Sequence, residues 1–364
     1  MRRSTLIRFS AALVAAIVGL GNMTHTAIAD PVMDPKIKSK AKRAADQGLR
    51  YLRANQAEDG SWAKSVGITA LALRAFLESH RGYSEQDGAF ITRPIQFLLK
   101  NVKPDGSVSE SIQNRNYNTA TAITALAATR NPKYKDVIAK AQKFITGLQH
   151  TAKNGYDSGH AYHGGMGYGG DERPDLSNML YALESLKATG VAPEDPAWKR
   201  ALLFVSRSQN RSESNDQKWA GNDGGFTYMP GYSPHGGTGS YGSMTHAGLI
   251  SLLFAGVDKK DPRIQAAYGW IRKNYTVDDN PGSKSKQGLY YYYTAFAKSM
   301  YAMGEPVIVD SKGVKHNWRN DLAGKLIGQQ QEDGSWVNKQ TRWWEGVKSL
   351  VTARSVIALN LATR

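Results

Sequence analysis

Three side chains stand out for the chemistry they could perform. His246 follows Ser243-Met244-Thr245 at the head of an apolar stretch. An imidazole that titrates near neutrality can act as a general base there. Asp175 and Glu345 also lie just ahead of apolar runs, and a carboxyl in such a place is a candidate acid. Around these three fall amides and rings suited to holding a ligand: Asn116, Asn118, Asn178, Tyr241, Tyr292 and the pair Trp343-Trp344. The run Tyr290-Tyr291-Tyr292-Tyr293 is the densest aromatic segment. Aromatic faces can stabilise a cation, hold an isoprenoid by apolar packing, or stack on a sugar ring. Each feature has a plainer reading: a hydrogen-bonded core histidine, and aromatic packing between repeats. The polar company of the rings points to a polar or amphiphilic ligand.

Other constellations promise less. His160 and His163 form a His-x-x-His pair that could join His246 on a metal, but they sit in a Gly-rich loop and no His-Glu-x-x-His helix exists. No metal is expected. Gly165, Gly167 and Gly170 satisfy G-x-G-x-x-G, as do Gly237, Gly239 and Gly242. Dinucleotide binding would require a preceding strand and a βαβ unit. Neither is visible and no Walker A sequence is present, so no cofactor is expected. Both loops instead lead into apolar helices, whose free N–H groups could receive an anion, though ordinary turn chemistry explains them equally well. The chain has no cysteine, which excludes disulfides, thiolate zinc sites and cysteine nucleophiles.

The elements that must position these residues come from repeats. Gln56-Ala57-Glu58-Asp59-Gly60-Ser61-Trp62 matches Gln330-Gln331-Glu332-Asp333-Gly334-Ser335-Trp336 at all but the second position. Weaker copies begin at Asn101, Gln149, Gln209 and Asn274, leading to Asp105-Gly106-Ser107, Gly155-Tyr156, Asp223-Gly224-Gly225-Phe226 and Gly288-Leu289-Tyr290. Self-similarity at this scale signals a repeat architecture. An amphipathic stripe precedes the anchors, as in Ile95, Leu98, Leu99 and Val102, or Ile264, Ala267, Tyr268 and Ile271. A segment apolar nearly all round follows each turn: 68–77, 119–128, 176–186, 245–254, 294–303 and 351–361. One-sided helices face solvent and all-apolar helices are buried. The expected fold is all-α: an α/α toroid, a barrel of six helical hairpins with inner and outer rings. Only Val307-Ile308-Val309 hints at a strand.

These repeats resemble the terpene-cyclase and protein-prenyltransferase superfamily, the α/α toroids with prenyltransferase/squalene-cyclase repeats. The turns at 56–62 and 330–336 are similar to the QW motif of squalene cyclases. The resemblance implies that Gln56 with Trp62, and Gln330 with Trp336, are structural clamps between neighbouring repeats. The departures bear on chemistry. Squalene cyclases carry an acidic D-x-D-D-T-A motif; the best match here is Arg115-Asn116-Tyr117-Asn118-Thr119-Ala120, where Thr-Ala remains and every acid is gone. Asp278-Asp279 is only a pair, in a loop. Protein prenyltransferases need a zinc site with a cysteine ligand, which this chain cannot supply. The resemblance therefore implies the scaffold, and folds host many activities.

The N-terminus reads as an export signal. Arg2, Arg3 and Arg8 precede an apolar stretch from Phe9 to Leu20, and Ala27-Ile28-Ala29 resembles a cleavage site. That order describes a secretory signal peptide over 1–29, leaving residues 30–364 as a single toroid domain in the periplasm or outside the cell. No later stretch is long enough to span a membrane. The formal charge is +16, spread without long runs, and export argues against nucleic acid as a partner. The expected ligand is small or amphiphilic and sits in the central cavity. Three functions are compatible: a protein binding or transforming an isoprenoid-like or amphiphilic ligand, a lyase-like enzyme acting on acidic glycans, and a non-catalytic binding or scaffold protein.

Overall fold

A computed structural model describes residues 32–169, 173–284 and 286–364. The segment 1–29, expected to be a signal peptide, and Gly170 of the first glycine-rich loop lie outside the described residues. Twelve α-helices are found among those described: α1 (Pro35–Ala54), α2 (Val66–Leu77), α3 (Ala89–Lys100), α4 (Arg115–Ala128), α5 (Lys135–Gly147), α6 (Leu176–Ala188), α7 (Pro196–Arg207), α8 (Gly242–Phe254), α9 (Pro262–Lys273), α10 (Leu289–Met303), α11 (Trp318–Gln329) and α12 (Lys348–Thr363).

Burial separates them into two sets. In α2 every residue from Val66 to Phe76 is buried, and in α12 every residue from Leu350 to Thr363. In α1 the buried residues are Ala41, Ala44, Ala45, Gly48, Leu49 and Leu52, one stripe at helical spacing. The even-numbered helices close a ring: α2 packs on α4, α4 on α6, α6 on α8, α8 on α10, α10 on α12, and α12 back on α2. The odd-numbered helices lay their stripes against the outside of that ring, α3 on α2, α5 on α4, α9 on α8, and α1 and α11 on α12. This is an α/α toroid.

The anchor turns show how neighbouring hairpins are joined. Asp59 Oδ1 accepts from the Ser61 backbone N–H at 2.9 Å and from its hydroxyl at 2.7 Å. Gly60 holds φ at 85°, a left-handed value that glycine adopts without a Cβ penalty. Trp62 Nε1 donates to Leu52 O of its own outer helix at 2.8 Å. Gln56 Nε2 donates to Gly60 O and to Phe90 O, the second residue of α3. The copy at 330–336 repeats this: Trp336 Nε1 donates to Leu326 O at 2.8 Å, and Gln330 Nε2 donates to Gly334 O and to Ala44 O of α1, both at 2.9 Å. That last bond ties the final hairpin to the first.

The weaker copies divide. Gln149 and Gln209 also bridge, to Ala197 of α7 and Arg263 of α9. The turn that follows Gln149 is at Gly164, whose carbonyl accepts from it at 2.9 Å. The expected Gly155-Tyr156 turn is displaced by the 3₁₀ segment Ala152–Asn154. Asn101 and Asn274 instead bond back to their own helices, at Phe97 O and Trp270 O, because the shorter side chain does not reach the neighbour.

Inner helices begin earlier than the apolar pattern implies. Helix α4 starts at Arg115 and α10 at Leu289, so Asn116, Asn118 and Tyr292 lie within first turns whose polar or aromatic residues carry no hydropathy signal. Ile308–Val309 does form a strand, β1, paired antiparallel with β2 (Lys315–His316), Ile308 opposite His316.

Candidate functional site

The N-terminal halves of the six inner helices converge on a cavity of about 430 Å³. Each contributes from its first two turns: Ile68 of α2, Tyr117 of α4, Tyr181 of α6, Met244 of α8, Tyr291 of α10 and Arg354 of α12. Loops complete the mouth, with Glu110, Tyr168, Tyr228, His235, Asn280 and the Trp343-Trp344 pair. The two tryptophans have φ of 63° and 64° and remain 39% and 67% exposed. Large aromatics in that backbone region are strained, and such strain concentrates at functional sites.

The helix starts also fix where the acids go. The first N–H groups of a helix lack partners and carry partial positive charge. Three carboxylates answer on alternate members of the ring. Glu110 Oε2 accepts from Val66 N of α2 at 3.1 Å, Asp175 Oδ1 from Asn178 N of α6 at 2.9 Å, and Glu345 Oε1 from Tyr291 N of α10 at 2.7 Å. Asn280 Oδ1 does the same for α8, accepting from Ser243 N at 2.9 Å. On α4, Asn118 turns the other way; its Oδ1 accepts from Gly67 N of α2 and its Nδ2 donates to Glu110.

Of the residues singled out from sequence, Asn118, Asn178, Tyr241, Trp343 and Trp344 line the cavity. Asn116, Tyr292, Asp175, Glu345 and His246 stand behind its wall. Asn116 Nδ2 donates to Gly167 O at 2.8 Å. The Tyr292 hydroxyl donates to Thr276 O at 2.7 Å. His246 is 1% exposed, its Nδ1 is 2.6 Å from Ser299 Oγ on α10, and it packs on Tyr292 and Phe296. Burial depresses its pKa to about 3, so at neutral pH it is an uncharged histidine between α8 and α10. His160 and His163 are engaged locally with Tyr156 and Tyr162. Among the described residues no group of three or more His, Asp or Glu is placed to hold a metal.

Asp175 is 2% exposed. Burial drives its pKa up to about 6, against hydrogen bonds from Asn178 and from Tyr228. Burial raises Glu345 as well, against Arg354, Asn338 and the α10 backbone. Both acids are committed to helix starts, and neither has a free face on the cavity.

The sequence reading missed the charges inside the ring. Burial would raise Glu184, but the Arg74 and Lys298 cations hold it down to about 2, at 3.0 and 2.6 Å. Arg354 lies nearer the mouth, 6% exposed. Its Nη1 is 3.5 Å from Glu345 Oε1 and its guanidinium carbon 5.2 Å from the Tyr291 ring centre. The signal was available: an ionisable residue inside a segment otherwise apolar all round. Tyr291 belongs to the aromatic run that stands out in the sequence, but the tyrosines at 117 and 181 are harder to find, because a tyrosine in a buried helix reads as packing.

Residues 64–234 match the model of the squalene-hopene cyclase C-terminal domain. No curated protein matches. Solved structures are similar in fold. A ligand-free tyrosine-to-phenylalanine variant of the type II terpene cyclase MstE from Scytonema is 11% identical, with 90% of this chain and 98% of that chain covered and a TM-score of 0.54. The ligand-free parent MstE is 12% identical, covering 89% and 98%, with a TM-score of 0.51. A wild-type glycosidase is 11% identical, covering 90% and 98%, with a TM-score of 0.51. The chain thus shares the α/α-toroid fold of these proteins, and its residues 64–234 are similar to the squalene-hopene cyclase C-terminal domain.

Proposed function

We propose that the chain is exported and uses the central cavity to bind and transform a small amphiphilic ligand. The cavity itself carries this reading. Its volume of about 430 Å³ suits a small-molecule site, and such sites combine apolar walls with a few convergent polar groups. Here tyrosine rings form the walls, Asn178 and Asn280 supply amides, and Arg354 supplies a buried cation.

The same arrangement argues against cyclisation begun by protonating an alkene. Glu110 lines the cavity and Asp175 and Glu345 lie behind its wall, and all three are occupied by helix starts. A carbocation in the cavity would face the guanidinium of Arg354 and the inner-helix starts that no carboxylate caps. An isoprenoid-like ligand remains compatible as an amphiphile held by the tyrosines.

One observation favours a second reading, action on acidic glycans. His235 lines the cavity with its ring 4.6 Å from that of Tyr241. Burial, with Arg342 and Lys284, lowers its pKa, so it is a neutral base at pH 7 beside rings on which sugars can stack. The fold shared with a glycosidase is consistent with this. The purified protein should be titrated with polyprenyl alcohols and with oligouronates while products are followed by mass spectrometry and ultraviolet absorbance. Saturable binding of either class with turnover supports the proposal; an absorbance gain from new unsaturated sugar ends selects the second reading. Binding with no turnover on any substrate would reduce the function to recognition. No binding of either class would overturn the proposal.

A further inference from the structure

Arg354 has hydrogen-bonding capacity that the protein does not use. It is 6% exposed and lines the cavity, and its Nε–H has no hydrogen-bond partner. The hydroxyl of Tyr291, also lining the cavity, makes no well-formed hydrogen bond and has only the Ser177 side chain beside it. Buried donors are rarely left unmatched, because leaving water without a new acceptor is costly. Two unmatched donors on one cavity wall therefore point to an acceptor that arrives from outside.

The neighbouring charges do not fill that role. Glu345 meets Arg354 only at 3.5 Å, long for a hydrogen bond between ions. Its better bonds go elsewhere, to Tyr291 N and to Asn338 Nδ2, both at 2.7 Å. Its charge thus serves the start of α10. Deeper in the ring, Arg74 and Lys298 are taken up by Glu184, and Arg74 also by Glu78. Arg354 is the buried cation that faces the space. Tyr117, Tyr181 and Tyr291 surround it; the first two phenol oxygens face the guanidinium as acceptors, and burial keeps all three phenols protonated at neutral pH, so none of them neutralises its charge.

We propose that Arg354, with the Tyr291 hydroxyl, is the receptor for a carboxylate on the ligand, borne either by a sugar ring or by an aliphatic chain. This rests on reading the cavity as the ligand site. A guanidinium with a free Nε–H matches a planar oxyanion. Arg354 is buried and Lys64 lines the cavity from its exposed rim, so one desolvated cation suits a singly charged group.

The test is calorimetric titration of the purified protein with two matched pairs, glucuronate against glucose and octanoate against octanol. The acid of at least one pair should bind at least about tenfold tighter than its neutral partner, as expected for a charged hydrogen bond. The responding pair identifies the carrier. The preference should disappear in Arg354→Met and survive in part in Arg354→Lys, which keeps the charge if the methionine variant fails to fold. It should also persist in concentrated salt, since buried pairs are screened little. Equal binding of acid and neutral partners would overturn the carboxylate site and leave the cavity reading standing. A preference that survives in folded Arg354→Met would overturn the assignment to Arg354. No binding by any of the four probes would overturn both.

Discussion

Asp175 and His246 are both buried, yet they should respond to pH in opposite directions. Asp175 titrates at about 6 in the folded chain, above the ordinary aspartate value. The native state therefore holds its proton to higher pH than the unfolded state does. Stability from this group is full below about pH 4 and is lost as pH rises through about 6, by roughly 3 kcal/mol. Asp175→Asn removes that loss and can still cap α6 through its amide oxygen. Chemical denaturation at pH 4.5 and pH 8 should show the variant gaining on the parent at the higher pH; a constant gap would refute the assignment. His246 sits at about 3, below its ordinary value. Its contribution is present above about pH 6.5 and is lost as pH falls toward 3, on the order of 5 kcal/mol. His246→Phe should resist acid better than the parent and leave ligand binding within about twofold, since the ring contacts α10 and not the cavity. The Ser299 hydroxyl keeps its bond to Phe296 O. A variant that abolished binding would return His246 to the site.

At the scale of elements, the anchor turns hold one hairpin to the next. Gly334 has φ of 84°, and an added Cβ would lie 2.7 Å from Gln47 O of α1. Gly334→Ala should cost more than about 2 kcal/mol, from backbone strain and the forced separation of the last turn from the first helix. Gly82 has φ of 64° but nothing within 4 Å, so Gly82→Ala should cost only about 1 kcal/mol. Thermal denaturation of the two variants separates these terms; equal losses would show that strain alone acts at Gly334. Gln330→Ala leaves Ala44 O and Gly334 O without their donor and should cost about 1–3 kcal/mol. These turns were the most legible part of the chain, because a glutamine, an aspartate-glycine pair and a tryptophan at fixed spacing each have one geometric task. Their partner was not legible. Thr69, Thr119, Thr245 and Thr352 each accept, through Oγ1, the backbone N–H of a residue in the turn ahead. A threonine within an apolar helix looks merely tolerated until that bond is seen. The same limit hid the site. Apolar periodicity marks which helices are inner, but it is silent on their first turns, where Asn118, Asn178 and the tyrosines lie.

For the molecule as a whole, the ring turns six helix starts toward one space and then neutralises half of them with carboxylates. That is why Asp175 and Glu345, which look like candidate acids in sequence, serve as caps, and why the uncompensated charge at the cavity is positive. It also supports the proposal that this chain does not begin its reaction by protonating an alkene. No described helix is long and apolar enough to cross a membrane, and the proposed export predicts a mature protein beginning near Asp30; N-terminal sequencing of the secreted material checks this, and an intact Met1 would refute it. The central claim is that ligands occupy the space inside the inner ring. Ser177 lines that space at the start of α6, and Ser177→Phe would fill part of it without touching the anchor turns. The decisive measurement compares ligand affinity in the parent and in this variant, by calorimetry with the tightest ligand found, alongside their unfolding midpoints. Binding weakened at least about tenfold with the midpoint nearly unchanged is the predicted result; undiminished binding in the filled variant would contradict the account.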